Sequence, residues 1–368
     1  FSSIYETEQD VYHFVRNECN KKIEYATLKK IKVTNEQVEY SLYVNLPKLL
    51  RMNNIKPYGI LDCTKYSKIY QLLSNQLTEL FSLNIPELIV TGVECSFSYT
   101  LANKESEACP RDMADEAVRK GLKTICFTDH FDKDDLEWGE EGIFDVDAYF
   151  VEMQKLQEEY AGKLNIRIGI ELGLRTYLKD YYEELTKKYP FDFVIGSVHN
   201  VPYKKDAEGN ILYTDPAAEK LFTDRTDKKA YRLMMETTLE NVRTSDCFQT
   251  LGHLDYVVRY GKSREKEYSY TDYADIIDEI LKLLIEKKKG LEVNSAGLKY
   301  GLPFAHPHPD VLKRYRELGG EIITIGADAH KPEHIAYDFA KAEEILKSCG
   351  FKYYTEFFEQ KPVFKQLI

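Results

Sequence analysis

No stretch of this chain is long and apolar enough to span a bilayer, which takes about 20 consecutive apolar residues, so no membrane segment is predicted. Basic residues are not in excess either: 50 Lys and Arg face 61 Asp and Glu, a formal net charge of -11. That balance argues against a nucleic-acid scaffold, whose phosphate contacts need clustered cations. It leaves a small phosphorylated substrate open, because bound divalent metals would reverse the sign of the field at a site. The chain has no CxxC, and its seven cysteines (Cys19, Cys63, Cys95, Cys109, Cys126, Cys247 and Cys349) are odd in number and widely spaced. A disulfide framework and a zinc ribbon are thereby excluded, and reduced thiols are expected. Residues Phe1 to Asp10 carry acids and lack an apolar core, so no secretory leader is expected and a cytoplasmic location is predicted. Nothing in the composition speaks to the oligomeric state.

What is present is the mixture of a packed globular protein: 43% hydrophobic and 30% charged residues, with 28 tyrosines that read as fillers of core and surface. From about residue 91 onward, short β-rich runs alternate with longer amphipathic ones. Lys123–Thr128, Ile166–Leu172, Phe191–Val198, Phe248–Leu254, Leu291–Asn294 and Glu321–Gly326 read as strands. Asp147–Tyr160, with Tyr149, Met153 and Leu156 on one face, reads as a helix. So do Leu178–Lys188, Tyr273–Lys289, Pro309–Leu318, His334–Ser348 and a long polar-to-helical stretch ending at Ser245. With a first strand near Leu88–Cys95, the count is about seven βα units, which predicts an α/β fold with a parallel sheet closed as a barrel. Residues 1–90 differ: Lys30–Val44 alternates like strand and Tyr66–Leu83 is an amphipathic helix, but neither carries a chemical motif. They are expected to form an N-terminal α+β appendage of unassigned role, and residues 91–368 the domain that carries the chemistry.

The informative residues fall at strand C-termini. The predicted strands end in Asp129-His130, in Glu171, in His199, in His253 with Asp255 two residues on, and in Asp328 with His330. In a parallel barrel all these ends share one face, so residues distant in sequence converge there. One such residue alone is more often a satisfied polar group; here four of eight histidines share the level with carboxylates. Imidazole and carboxylate together suit divalent Zn, Mn or Fe. Two or three such ions, roughly 3.5–4 Å apart, would clamp a phosphate and activate water. Glu171 is the expected bridging carboxylate, and Glu171, Asp328 and His330 are the expected catalytic set. His306, His308 and His334 are weaker candidates.

The strings CFTDHFDKD, GIELG, IGSVHN, LGHLDYVVRYGK, LEVNSAGLKYG and ITIGADAHKPEHIAYDF resemble the PHP superfamily, and within it the histidinol-phosphate phosphatase branch. The likeness runs from about Gly92 to Ile368. It implies a distorted (β/α)7 PHP barrel, a site of several metals, and hydrolysis of L-histidinol phosphate to L-histidinol and phosphate in histidine biosynthesis. By motif, His130 and His330 would serve one metal and His199 and His253 a second. Glu171 would bridge, Asp328 and Glu105 would serve a third, and Arg259 or Lys299 would meet the substrate phosphate. The family opens with an H-x-H-T pair on its first strand; here that place reads Phe97-Ser98-Tyr99-Thr100. Two metals sufficing, impaired catalysis, an unrelated leader joined to the barrel, and a different phosphate ester as substrate all stay open at this point.

Overall fold

Runs such as FVIGS are buried and apolar on both faces, the pattern of strands covered by helices on a parallel sheet. The computed structural model describes residues 26–33, 38–44, 109–134, 144–218 and 220–367, and the chain divides into two compact units, Phe1–Ser96 and Phe97–Ile368. In the first unit, β1 (Ala26–Val33) and β2 (Val38–Val44) pair antiparallel, with a register shift between Lys30 and Lys32. The helix expected at Tyr66–Leu83 and the strand expected at Leu88–Cys95 lie outside the described residues, as do Phe97, Tyr99 and Glu105.

The second unit runs α1 (Pro110–Arg119), β3 (Thr124–Phe127), β4 (His130–Phe131), α2 (Val146–Glu159), β5 (Asn165–Gly173) and α3 (Lys179–Lys188). There follow β6 (Phe193–Ser197), β7 (Val201–Lys205), β8 (Ile211–Thr214), α4 (Lys220–Thr223), α5 (Asp227–Thr244), β9 (Thr250–Leu251) and α6 (Ala274–Glu286). The chain ends with β10 (Gly290–Asn294), α7 (Ala296–Lys299), α8 (Pro309–Glu317), β11 (Ile323–Gly326), α9 (Phe339–Ser348), β12 (Tyr353–Phe358) and β13 (Lys361–Gln366). The parallel sheet has the order β11-β10-β9-β6-β5-β3, with β4 also on β5.

This sheet is curled. Five strand steps at about 4.8 Å would hold the edges of a flat sheet roughly 24 Å apart. Yet the rings of His130, from one edge, and His330, from the loop after the other, have centroids 5.7 Å apart. The edges themselves do not pair among the described residues, and the expected first strand lies outside them; the described part of the sheet is a curled half-barrel, consistent with the distorted barrel expected. The helices cover its outer side. In α6 the buried Ile276, Ile277, Ile280, Leu281 and Leu284 recur at helical spacing, and each such side chain contributes roughly 1.5–3 kcal/mol when fully buried.

Tyrosines turn out to pin the strands. Tyr149 donates to the Gly169 carbonyl (3.1 Å), Tyr182 to Gly173 (3.0 Å), Tyr256 to His199 (3.1 Å) and Tyr315 to Ile322 (3.2 Å). Two hairpins were not expected: β7–β8, inside the supposed polar-to-helical stretch, and β12–β13 at the end. The helix expected from His334 begins only at Phe339, after a single 3-10 turn at Pro332–His334.

Candidate metal centre

Glu171 ends up central because β5 is paired on both sides. His130 on β4 lies directly across from it, and Ile195 on β6 is its partner on the other flank. His199 follows β6 and His253 follows β9, the next strand over. Their Nε2 atoms lie 3.1 and 3.0 Å from the same Glu171 oxygen, Oε1, and 3.4 Å from each other. The three side chains are buried, each less than a tenth exposed. A tetrahedral zinc with bonds of 2.0–2.1 Å spaces its ligand atoms about 3.3–3.4 Å apart, so this triangle has the size of one face of such a site.

The protonation states support that reading. His199 Nδ1 faces Asp132 Oδ1 at 2.8 Å, which fixes Nδ1 as the donor and leaves the Nε2 lone pair for Glu171 and His253. A lone pair aimed at a carboxylate oxygen needs a proton or a cation between them. Burial pulls the His199 imidazole down, but Asp132 and then Glu171 outweigh it and hold it well above its ordinary range. For Glu171, burial pushes the carboxyl up; His130, His199 and His253 together hold it well below the usual carboxylate range. The donor set is therefore that of a divalent-cation site.

A second cluster lies across the gap between the sheet edges. His130, Asp328 and His330 each present a ligand atom within 4.8 Å of the others, as do His130, Glu171 and His199. His330 Nε2 is 2.8 Å from Asp328 Oδ1. For Asp328 too, burial raises the carboxyl, but His330 outweighs it and holds it far below the ordinary range. His130 belongs to both groups, so it links the clusters.

All six of the described ligand candidates thus converge, and the expected seventh, Glu105, lies outside the described residues. The two expected phosphate donors are also nearby. Arg259 Nη1 sits 3.8 Å from Asp328 Oδ2, and its guanidinium lies over the rings of Tyr260 and Tyr300 at 4.8 and 4.6 Å. Lys299 is engaged otherwise: its ammonium donates to the carbonyls of Asp328 (2.6 Å) and Ala327 (3.3 Å).

Two buried groups at the site were not singled out from the sequence. Asp132 orients His199; its place two residues beyond His130, on the same side of an extended chain, was the available signal. Glu292 lies inside β10, where Oε2 accepts from the His253 amide (3.0 Å) and from Asn294 Nδ2 (3.2 Å). Burial pushes its carboxyl up to about 7. A charged residue inside a buried strand was its signal. Residues that the sequence did offer form a fully buried pair: Asp255 accepts from His306 Nδ1 at 2.7 Å and from the His308 amide at 2.8 Å.

Known proteins resemble this chain in sequence and fold. A family profile described as "PHP domain" matches residues 99–296. The histidinol-phosphatase of Lactococcus lactis subsp. lactis is 32% identical over 248 residues, which cover 67% of this chain and 87% of that protein. The probable histidinol-phosphatase of Clostridium acetobutylicum is 29% identical over 263 residues, 72% of this chain and 95% of that protein. Among solved structures, the Lactococcus lactis histidinol phosphate phosphatase, "complexed with ZN, L-histidinol and phosphate", superposes with a TM-score of 0.59. It is 30% identical and covers 70% of this chain and 94% of that one. The putative histidinol phosphatase of Listeria monocytogenes, 16% identical with a TM-score of 0.54, shares the fold.

Proposed function

The chain belongs to the PHP domain family, and on that premise we propose that it is a metal-dependent phosphomonoesterase that hydrolyses L-histidinol phosphate to L-histidinol and phosphate. The observation that carries this reading is the convergence of His199, His253 and Glu171 on one point, with His130, Asp328 and His330 beside it. Relatives named histidinol-phosphatases and a neighbour holding zinc, L-histidinol and phosphate support the choice of substrate. On this reading the enzyme serves histidine biosynthesis, in the cytoplasm.

Glu171, His199 and His253 would hold one divalent ion, and His130, Asp328 and His330 a second. Zn, Mn and Fe suit these donors. Such ions supply Lewis-acid polarisation of the phosphoryl oxygens and lower the pKa of a coordinated water. The protein's own part is orientation and charge. Asp132 holds His199 in the tautomer that turns Nε2 inward. Glu292 fixes the His253 backbone. Arg259, held over two tyrosine rings beside Asp328, is the cation placed to meet a substrate phosphate. Asp328, held ionised beside His330, would act as a ligand and not as the acid that the leaving alkoxide needs. The remaining site assignment, Glu105, is an expectation from motif order.

The test is phosphate release from histidinol phosphate with added Mn or Zn. Turnover no greater than in the metal-free blank refutes the reading, and a clear preference for another phosphate ester changes the substrate. One feature of the sequence favours a second reading, in which metal is bound without efficient turnover. Phe97 and Tyr99 stand where the family resemblance places two ligand histidines. Two bound ions without phosphate release would favour it.

A further inference from the structure

Lys299 was expected to meet phosphate, but its surroundings describe another task. The turn that follows β10 and the loop that follows β11 run side by side. Ser295 donates its amide to the Gly326 carbonyl at 2.8 Å, and the Lys299 ammonium donates to the next two carbonyls, Ala327 at 3.3 Å and Asp328 at 2.6 Å. Three successive carbonyls are therefore satisfied from one short segment, 295–299. The backbone they belong to is strained: Asp328 has φ +49, the left-handed region that non-glycine residues adopt at a cost. Such a conformation persists only where its surroundings over-determine it. Asp328 and His330, the two ligand candidates from this loop, take their directions from that turn.

We propose that Lys299 is a positioning residue, a clamp that holds the left-handed turn at Asp328 so that Asp328 and His330 meet His130, and not a ligand of the substrate phosphate. Two of its three N–H donors are already committed to carbonyl oxygens. The cation left to meet phosphate is Arg259, whose nearest carboxylate partner, Asp328, is 3.8 Å away. The proposal rests on the metal-site reading above, but not on the identity of the substrate.

The test uses the full-length chain and the variant Lys299→Met, which keeps the aliphatic stem and removes the donors. Zinc affinity is measured by competition with a chromophoric chelator, and inorganic phosphate binding by calorimetry at saturating zinc. Loss of a group that supports a metal ligand typically weakens metal binding about 10–100-fold; that loss is expected for the zinc held by His130, Asp328 and His330, with phosphate affinity at saturating zinc unchanged. Weaker phosphate binding at saturating zinc, whether or not zinc affinity also falls, overturns the proposal, and so does unchanged zinc affinity. Should Lys299→Met fail to fold, Lys299→Gln, which retains an amide donor, is measured in the same two ways. Zinc binding by the wild-type chain without histidinol phosphate turnover would remove the functional reading and leave the clamp standing. Turnover with no effect of Lys299→Met on zinc would do the reverse.

Discussion

Gly173, at the end of β5, tests the whole arrangement with one methyl group. A Cβ built there would lie 1.8 Å from Asp132 Oδ1 and 2.7 Å from its Cγ. That same oxygen accepts from His199 Nδ1 at 2.8 Å. In Gly173→Ala the carboxylate must therefore swing away and give up His199. A hydrogen bond to a charged group contributes about 1.5–3 kcal/mol, which at about 1.4 kcal/mol per decade is roughly a 10–150-fold change in an equilibrium. Metal-site substitutions of this kind typically cost 10–100-fold. Zinc affinity, read by chelator competition, should thus fall by one to two decades in Gly173→Ala and by a similar factor in Asp132→Ala. The double variant should be no weaker than Asp132→Ala alone, because the clash has lost its target; the non-additivity equals the whole effect of the methyl group. If Gly173→Ala weakens zinc equally with and without Asp132, or not at all, the reasoning is wrong.

Two further outcomes follow from buried groups. Burial raises the Glu292 carboxyl from 4.5 to about 7, so folding favours its protonated form: this stabilisation is full below about pH 4.5 and is lost as the pH rises towards 7. At about 1.36 kcal/mol per unit the difference amounts to ~3 kcal/mol, and urea unfolding of chelator-treated protein should lose that part of its pH slope in Glu292→Gln. Asp255→Ala strands the His306 imidazole and the His308 amide without their acceptor, in a pair with no solvent exposure. Each buried donor left unmade costs about 1–3 kcal/mol, so the two together should lower unfolding free energy by about 2–6 kcal/mol, measurable as a fall in the urea midpoint; a loss within 1 kcal/mol would show that water or a neighbour replaces the carboxylate.

Much of the site was legible because it obeys a periodic rule. Strand runs such as FDFVIGSV and EIITIGA announce themselves by buried apolar residues, and a parallel sheet sends every C-terminal end to one face. His130, Glu171, His199, His253, Asp328 and His330 could be placed together on that ground alone. The two hairpins could not. A two-residue turn with positive φ at both central residues is normally written Asn-Gly. Here it is Glu359-Gln360, at φ +48 and +61, held by tertiary contacts instead: the Glu359 amide donates to Asp192 Oδ1 (3.1 Å) and the Gln360 amide to the Asp192 carbonyl (2.8 Å). In β7, Pro202 and the run Lys204-Lys205 mask the strand pattern. The carbonyl contacts of Lys299 were out of reach for a related reason. A cation in a loop near an expected phosphate site looks like a phosphate donor until the backbone carbonyls it serves are visible.

The two ligand clusters differ in what holds them, and that difference has a consequence. Glu171 lies in β5, and His199 and His253 directly follow β6 and β9; the three strands are neighbours in the sheet. Ladder hydrogen bonds fix these strands before any ion arrives, and Asp132 and Glu292 set the His199 ring and the His253 backbone. The other cluster spans the two ends of the sheet path. His130 comes from one end, Asp328 and His330 from the loop beyond the other, and no ladder joins β3 to β11 among the described residues. Its geometry depends on a strained turn, the Lys299 ammonium and Arg259. Preorganised ligands lose less freedom on binding, so the first cluster should fill before the second. Zinc titration of metal-free protein should show two steps. His253→Ala should remove the tighter one, and His330→Ala should remove the weaker while leaving the tighter in place. A single step of two equivalent ions, or loss of the tight step in His330→Ala, would mean that the bridge through His130 couples the clusters more strongly than the sheet separates them.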